Sequence, residues 1–508
     1  MKRTILITVF LSLGLTACQL RMFPAPEPTQ EISLPEVKPA PTKSENSAQK
    51  GSSIYSGDLI PEHQHWIKDL STANQYVIHF VIEDEQDNIA GSEEVIYTNN
   101  EDVSLDEVHF RLLPNALGCE MKVSSVRVDN QPFEPVYELD NSLMRVPLYQ
   151  ALNPGESVTV AIEFSLRVPT QIESNYGLLA YYDGILTLAH AYPMVAVYDD
   201  EGWNEEIPPD QGDPTYHDAS FFTVSLESPD DLIVVASGRE IEREHNGNKQ
   251  IVTFATGPAR DFYLAVSPEY KVLTQTTDGL TVNSYFRGNE KDAAQVALDF
   301  SFEALHRLGA RYTSYPYVEF DIVPTPTYAL GIEYPGVIVL TENLYDLEDT
   351  PYGLPNRTML ESVIVHEVAH QWFYNLVGND QLDEPWLDES LAQFVTWEYY
   401  QDKYGTSGGN GFEESLRERW QRVEMAKIPI GLPVSSYEGS EYSAIVYGRG
   451  AFFFEELKEK MGEETFDAFM LDYAQKYTWR IASAESFKYL AEEHCQCNLD
   501  RLYNYWVY

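Results

Sequence analysis

Val365-His366-Glu367-Val368-Ala369-His370-Gln371-Trp372-Phe373, followed by Trp386-Leu387-Asp388-Glu389-Ser390-Leu391-Ala392, is the stretch whose reading decides the fold. His366 and His370 are four residues apart, and Glu367 follows the first. Upstream, Leu360, Val363 and Ile364 fall at apolar helix positions, Thr358 and Glu361 have capping-box spacing, and Gly378 is the expected stop. On a helix, side chains four apart leave one face, about 6 Å apart at the backbone. Two imidazoles so placed can grip one metal ion, and Glu367 can reach a water that the ion activates. A hydrolytic two-His site takes a carboxylate as third ligand. Glu389 is the candidate, with eighteen residues between it and His370. Gly378, Asn379, Asp380 and Pro385 supply a turn, and a second helical pattern from about Trp386 to Gln401 carries Glu389 back toward the histidines. The bland alternative is a polar helix face that binds nothing; the helix pattern, the spacing and the second helix together favour the metal.

These two runs resemble the gluzincin aminopeptidases, the family of aminopeptidase N and its relatives. The eighteen-residue gap is that family's spacing; thermolysin-like endopeptidases use one residue more. The resemblance implies one zinc ion held by His366, His370 and Glu389, with Glu367 as the general base. Ala329-Leu330-Gly331-Ile332-Glu333-Tyr334-Pro335-Gly336 resembles the family's Gly-x-Met-Glu-Asn segment. By that likeness Gly331 and Glu333 are substrate-binding, with Glu333 anchoring the free ammonium; Ile332 stands for Met and Tyr334 for Asn. Val446-Tyr447-Gly448-Arg449-Gly450-Ala451 resembles the Tyr-x-Lys-Gly segment, with Arg449 in place of Lys. Tyr447 is then the donor to the oxyanion, and Tyr442 the fallback. A phenol stays protonated at neutral pH and can fill that role.

Around this centre the 508 residues allow two or three domains. Lys2 and Arg3, an apolar run from Thr4 to Leu15, and Leu15-Thr16-Ala17-Cys18 resemble a lipoprotein signal. The expectation is a signal over 1–18 with a lipid on Cys18, and a location at a bacterial cell surface or periplasm. Residues 19–55 carry Pro24, Pro26, Pro28, Pro35, Pro39 and Pro41 and read as a Pro-rich disordered tether. The formal net charge of −46 excludes nucleic acid as a partner and opposes docking on anionic lipid.

Residues 56–286 read as an N-terminal antiparallel β domain. Val158, Val160, Ile162, Phe164 and Leu166 alternate with Thr159, Ala161, Glu163, Ser165 and Arg167, a half-buried strand. Ala191-Tyr192-Pro193-Met194 with Asp199-Asp200 resembles the loop that the family sends toward its active site. In relatives a Gln or Glu from that region helps hold the amine. His190 and Thr187 lie near its place, and neither is assigned that role.

Residues 287–508 read as a thermolysin-like, mainly helical zinc domain with a small sheet, so the fold class is α+β and multidomain. Ala293, Val296, Ala297, Phe300 and Ala304 line one helix face, with Gly309 as its stop. Strands are expected at 320–323 and 336–340. A helix ends at Met461 before Gly462. The resemblance further implies a short form without the family's large C-terminal helical domain. Cys495 and Cys497 read as too close to pair, and His494-Cys495-Gln496-Cys497 as an incidental cluster.

The expected function is zinc-dependent hydrolysis of peptides with a free N-terminus. An endopeptidase or a non-peptide hydrolase on the same zinc site, and a non-catalytic peptide-binding lipoprotein, remain alternatives.

Overall fold

The computed structural model describes residues 54–82, 86–351 and 353–508. The signal, Cys18 and nearly all of the Pro-rich segment lie outside the described residues. Where description begins, the chain is already packed. Tyr55 is buried, its ring 4.9 Å from Phe221 and its hydroxyl 3.1 Å from that of Thr223.

The N-terminal part is built on an eight-stranded sheet. Its order is Arg239–Asn246, Lys249–Ala259, Ser220–Pro229, Gln75–Ile82, Asn88–Thr98, Ser157–Arg167, Glu120–Val128 and Gln131–Phe133. Alternation in the sequence sets which face is buried. In Ser157–Arg167 the residues Val158, Val160, Ile162, Phe164 and Leu166 are all inside. Most pairs are antiparallel, as expected. Gln75–Ile82 runs parallel to Ser220–Pro229, a pairing between distant segments that neither strand's pattern encodes. Two four-stranded sheets cover this one and close a core around Ile78, Phe110, Val160, Ile162 and Leu186.

A five-stranded sheet begins the catalytic half, in the order Lys271–Thr277, Leu280–Phe286, Glu319–Thr325, Val337–Thr341 and Gly331–Tyr334. The hairpin at 271–286, which the sequence reading grouped with the N-terminal β domain, pairs here, with Leu280–Phe286 parallel to Glu319–Thr325. The edge strand Gly331–Tyr334 lies beyond the two strands expected, antiparallel to Val337–Thr341.

Helix α1 (Lys291–Arg311) packs on this sheet and runs through Gly309 rather than stopping there. Helix α2 (Asn356–Ala369) starts two residues before Thr358, without a side-chain cap, so the expected capping box is absent. Glu361 instead turns inward to accept from Lys403, Tyr399 and Tyr404. The same helix ends at Ala369, well short of Gly378. Helix α3 (Glu389–Gln421) extends past Gln401, with a break at Gly405, where φ is 65°. Helix α4 (Gly450–Met461) ends at Gly462, φ 82°, as expected. Three more, α5 (Glu463–Lys476), α6 (Ala484–Cys495) and α7 (Asp500–Trp506), complete the bundle.

Cys495 and Cys497 form a disulfide, against expectation. Gln496 between them adopts the left-handed conformation at the end of α6, which leaves the Cα atoms 5.1 Å apart and within pairing range. Among the described residues, no helix is long and apolar enough to cross a membrane.

Candidate active site

Helix α2 is buried on nearly all sides. Leu360, Ile364, Val365 and Val368 fix its rotation against α1, α3 and the sheet. That rotation leaves His366, Glu367 and His370 in a sheltered cleft, with His370 fully enclosed as the C-cap. A 3-10 turn at Pro385–Leu387, with Trp386 and Leu387 buried, leads into α3. Asp388 caps α3 by accepting from Glu389 N–H at 2.8 Å, so Glu389 is its first residue and its carboxylate turns toward the histidines.

His366 Nε2 lies 3.1 Å from Glu389 Oε2 and 3.2 Å from His370 Nε2; His370 Nε2 lies 3.5 Å from Glu389 Oε2. Ligand atoms about 2.0–2.1 Å from a tetrahedral zinc are about 3.3–3.4 Å from one another. The trio therefore has the dimensions of one coordination sphere. Orientation agrees. Phe373 C=O accepts a hydrogen bond from His370 Nδ1–H at 3.0 Å, which leaves Nε2 with its lone pair. Gln393 Nε2 lies 3.3 Å from His366 Nδ1 and fixes the orientation of that ring.

Acids crowd this place. Burial opposes ionisation of Glu389, yet hydrogen bonds from His366 and His370 hold its carboxyl well below the usual range. Burial and the Glu333 charge push Glu367 well up. Burial also raises Glu333, with Glu389 adding to the effect. Such a site favours whatever cation enters it, which fits the donor set to a divalent ion.

Glu367 packs against the edge strand. A Cβ on Gly331 would stand 2.3 Å from Glu367 Oε1, so only glycine allows this approach. Two residues on, Glu333 faces the cleft. Its Oε1 accepts from Gln381 Nε2 at 3.2 Å; the same amide nitrogen donates to Asp388 Oδ2 at 2.8 Å, and Gln381 Oε1 accepts from the Thr215 hydroxyl at 2.7 Å. Tyr334 points the other way, as strand alternation requires, and stacks on Tyr263 at 4.2 Å. It docks the edge strand on the N-terminal sheets instead of lining the cleft.

Tyr447 reaches the site from a π-helical turn, Ile445–Arg449, and donates to Glu389 Oε1. Burial and the neighbouring Glu389 keep its phenol protonated. Gly450 permits this turn to lie on α3, since a Cβ there would meet Ser390 Oγ at 1.9 Å. Tyr442 turns its hydroxyl toward Gly212. Arg449 does not enter the cleft. It is fully buried, donates to Ile428, Tyr505 and Trp506 carbonyls, and stacks 4.4 Å from Trp506.

Sequence reasoning missed Asp213. The loop bearing it comes from the N-terminal half and is tied down by Gln211, which donates to Tyr437 C=O at 3.0 Å, and by Gly212 against Tyr442 and Val434. Oxygens of Asp213, Glu333 and Glu389 lie within 4.8 Å of one another. The segment around it, Pro208-Pro209-Asp210-Gln211-Gly212-Asp213-Pro214, offers turn residues and no periodicity, so nothing local pointed to the cleft. Thr187 and His190 are elsewhere: Thr187 bonds Gly177 C=O and Ala180 N–H, and His190 is buried beside Asp261.

Residues 296–506 match the model of the peptidase family M1 domain. The catalytic half of the chain carries an M1 peptidase family domain. Its relatives include Aminopeptidase M1 of Arabidopsis thaliana, 27% identical over 286 residues that make up 52% of this chain and 31% of the relative. Aminopeptidase M1-B of Oryza sativa subsp. japonica is 23% identical over 75% of this chain and 44% of its own. The chain thus matches about a third to under a half of the length of these curated relatives. Among solved structures, the M1 zinc metallopeptidase of Deinococcus radiodurans superposes with a TM-score of 0.62 at 17% identity, over 86% of this chain and 94% of that one. A mutant of that enzyme bound to a Tyr-Ser-Ala substrate gives 0.62 at 18% identity, over 89% and 97%. These likenesses bear out the M1 fold: an N-terminal β part followed by a helical part with a small mixed sheet.

Proposed function

We propose that this chain is a zinc-dependent aminopeptidase, with His366, His370 and Glu389 as the metal ligands. The observation that carries the reading is the convergence of these three side chains, from two helices, at the spacing of one coordination sphere with Glu367 alongside. Zinc supplies Lewis acidity, acidifying water and polarising a carbonyl.

The chain's own residues do the rest. Glu367 takes a proton from the attacking water and passes it to the departing amine. Its seat against Gly331 fixes the carboxylate for both transfers. Tyr447 donates to the oxygen on which charge develops. Glu333 and Asp213 receive the substrate's ammonium, and Gln381 holds Glu333 in place. This acid pair, Glu333 buried and Asp213 half-buried, leaves an uncompensated charge whenever the ammonium is missing, and this favours a free N-terminus. Gly331, half-buried on the edge strand, offers backbone to the substrate. For the M1 enzymes described above, a tripeptide substrate and the name aminopeptidase support the same chemistry.

The test compares a free-amino aminoacyl amide with its N-acetylated form, with and without chelator. The free form should be cleaved and the acetylated form spared. Equal cleavage would remove the aminopeptidase assignment, and chelator-resistant activity would remove the zinc.

We also propose export to a bacterial cell surface or periplasm on a lipid at Cys18, supported by the basic start, short apolar run and Leu15-Thr16-Ala17-Cys18. Labelled fatty acid should enter the wild type and not Cys18→Ser.

A further inference from the structure

Arg419 stands beside Tyr447, its guanidinium carbon 5.5 Å from the centroid of that ring. The Tyr447 ring is in turn 5.9 Å from His366, and its hydroxyl is on Glu389. Arg419 is therefore one side chain away from the metal ligands. Gly448 in the turn bearing Tyr447 fits against α3 at Leu416, Arg419 and Trp420 and sets this placement.

Among the described residues the Arg419 guanidinium has no carboxylate partner. The chain carries 80 acids against 34 basic residues. The neighbouring Arg417 pairs with Glu413 at 2.6 Å, and Arg311, Arg307 and Arg287 each hold acids. Among the described residues Arg419 makes neither an ion pair nor a side-chain hydrogen bond; the Tyr447 face is its contact. One turn on, the exposed Arg422 likewise has no acid partner. Five donors in a rigid fork, partly shielded from water and unpaired, are suited to a carboxylate.

Acids lie close by. Glu333 and Asp388 gather with His370, and Asp213 with Glu333 and Glu389, the carboxylate that Tyr447 bonds, while Arg419 stands on the Tyr447 ring. We propose, on the aminopeptidase reading above, that Arg419 binds the C-terminal carboxylate of short peptides. The preferred substrates are then di- and tripeptides, zwitterions with the amine at the acids and the carboxylate at Arg419. Arg419 is one ring and one hydrogen bond away from Glu389, so at about 3.3–3.6 Å per extended residue only a few residues fit between the two.

The experiment measures binding apart from turnover. Zinc-loaded Glu367→Gln protein is titrated calorimetrically with the alanine tripeptide as the free acid and as its C-terminal amide. A charge-assisted pair predicts roughly tenfold to hundredfold tighter binding of the acid. Adding Arg419→Gln should bring the acid-to-amide ratio to about one, and Arg419→Lys should keep part of it. Wild-type kcat/KM for a series of free-acid alanine peptides, from the dipeptide to the hexapeptide, should fall as length grows, with the difference in KM. Equal binding of acid and amide, or a ratio that Arg419→Gln does not change, overturns the proposal. Failure of the underlying reading looks different: the acid preference persists while wild type hydrolyses neither form.

Discussion

Gly331 and Glu367 are in such close contact that a single methyl group on the glycine would lie 2.3 Å from the glutamate's Oε1. The edge strand thereby acts as a stop for the proton-transferring carboxylate. Gly331→Ala should displace Glu367 by about an ångström and lower kcat by about a hundredfold. Zinc content, measured by atomic absorption, should stay at one per chain, since His366, His370 and Glu389 are untouched. A variant with normal kcat would mean the strand does not set the position of Glu367.

Asp213 is the acid that the N-terminal half contributes. Asp213→Asn should raise KM for free-amino aminoacyl amides about tenfold, with a smaller change in kcat. The margin by which the free form outruns the N-acetylated one should narrow. Steady-state kinetics on both substrates checks this; an unchanged margin would assign the amine to Glu333 alone.

Arg449 binds three carbonyls around α7 and contributes no chemistry. Arg449→Met should leave those carbonyls without a donor and cost roughly 3–5 kcal/mol. Urea unfolding should show a lower midpoint, while kcat of the folded fraction changes little.

Stability should also depend on pH in an unusual sense. Burial pushes the carboxyls of Asp58 and Asp261 up to about 7, and that of Asp380 likewise. The folded chain therefore holds protons more tightly than the unfolded one between about pH 4 and 7. Their stabilising contribution is complete below the ordinary carboxylate range and is lost as pH rises through about 7. The melting temperature should be higher at pH 5.5 than at pH 7.5. In Asp58→Asn that difference should shrink; a melting temperature that rises with pH would contradict the burial argument.

The metal trio and Glu367 were legible as residue types at fixed spacings, whereas Glu333 and Tyr447 were picked out by the resemblance of two short segments to a known family. Helix ends were read less well. Thr358 and Glu361 have capping spacing, yet Glu361 is taken by Lys403, Tyr399 and Tyr404, and the helix starts earlier. A competing tertiary partner overrode the local signal.

By itself, then, the sequence determined the two-helix metal motif and the alternating strands, since periods of 3.6 and 2 and the reach of a side chain are local properties. Only the tertiary structure decided that the hairpin at 271–286 joins the catalytic sheet, that Tyr334 faces away from the cleft, that Asp213 enters it and that Arg419 stands unpaired beside Tyr447. Those facts depend on which distant segments pack together. Packing minimises the free energy of the whole chain, and no window of neighbouring residues contains it.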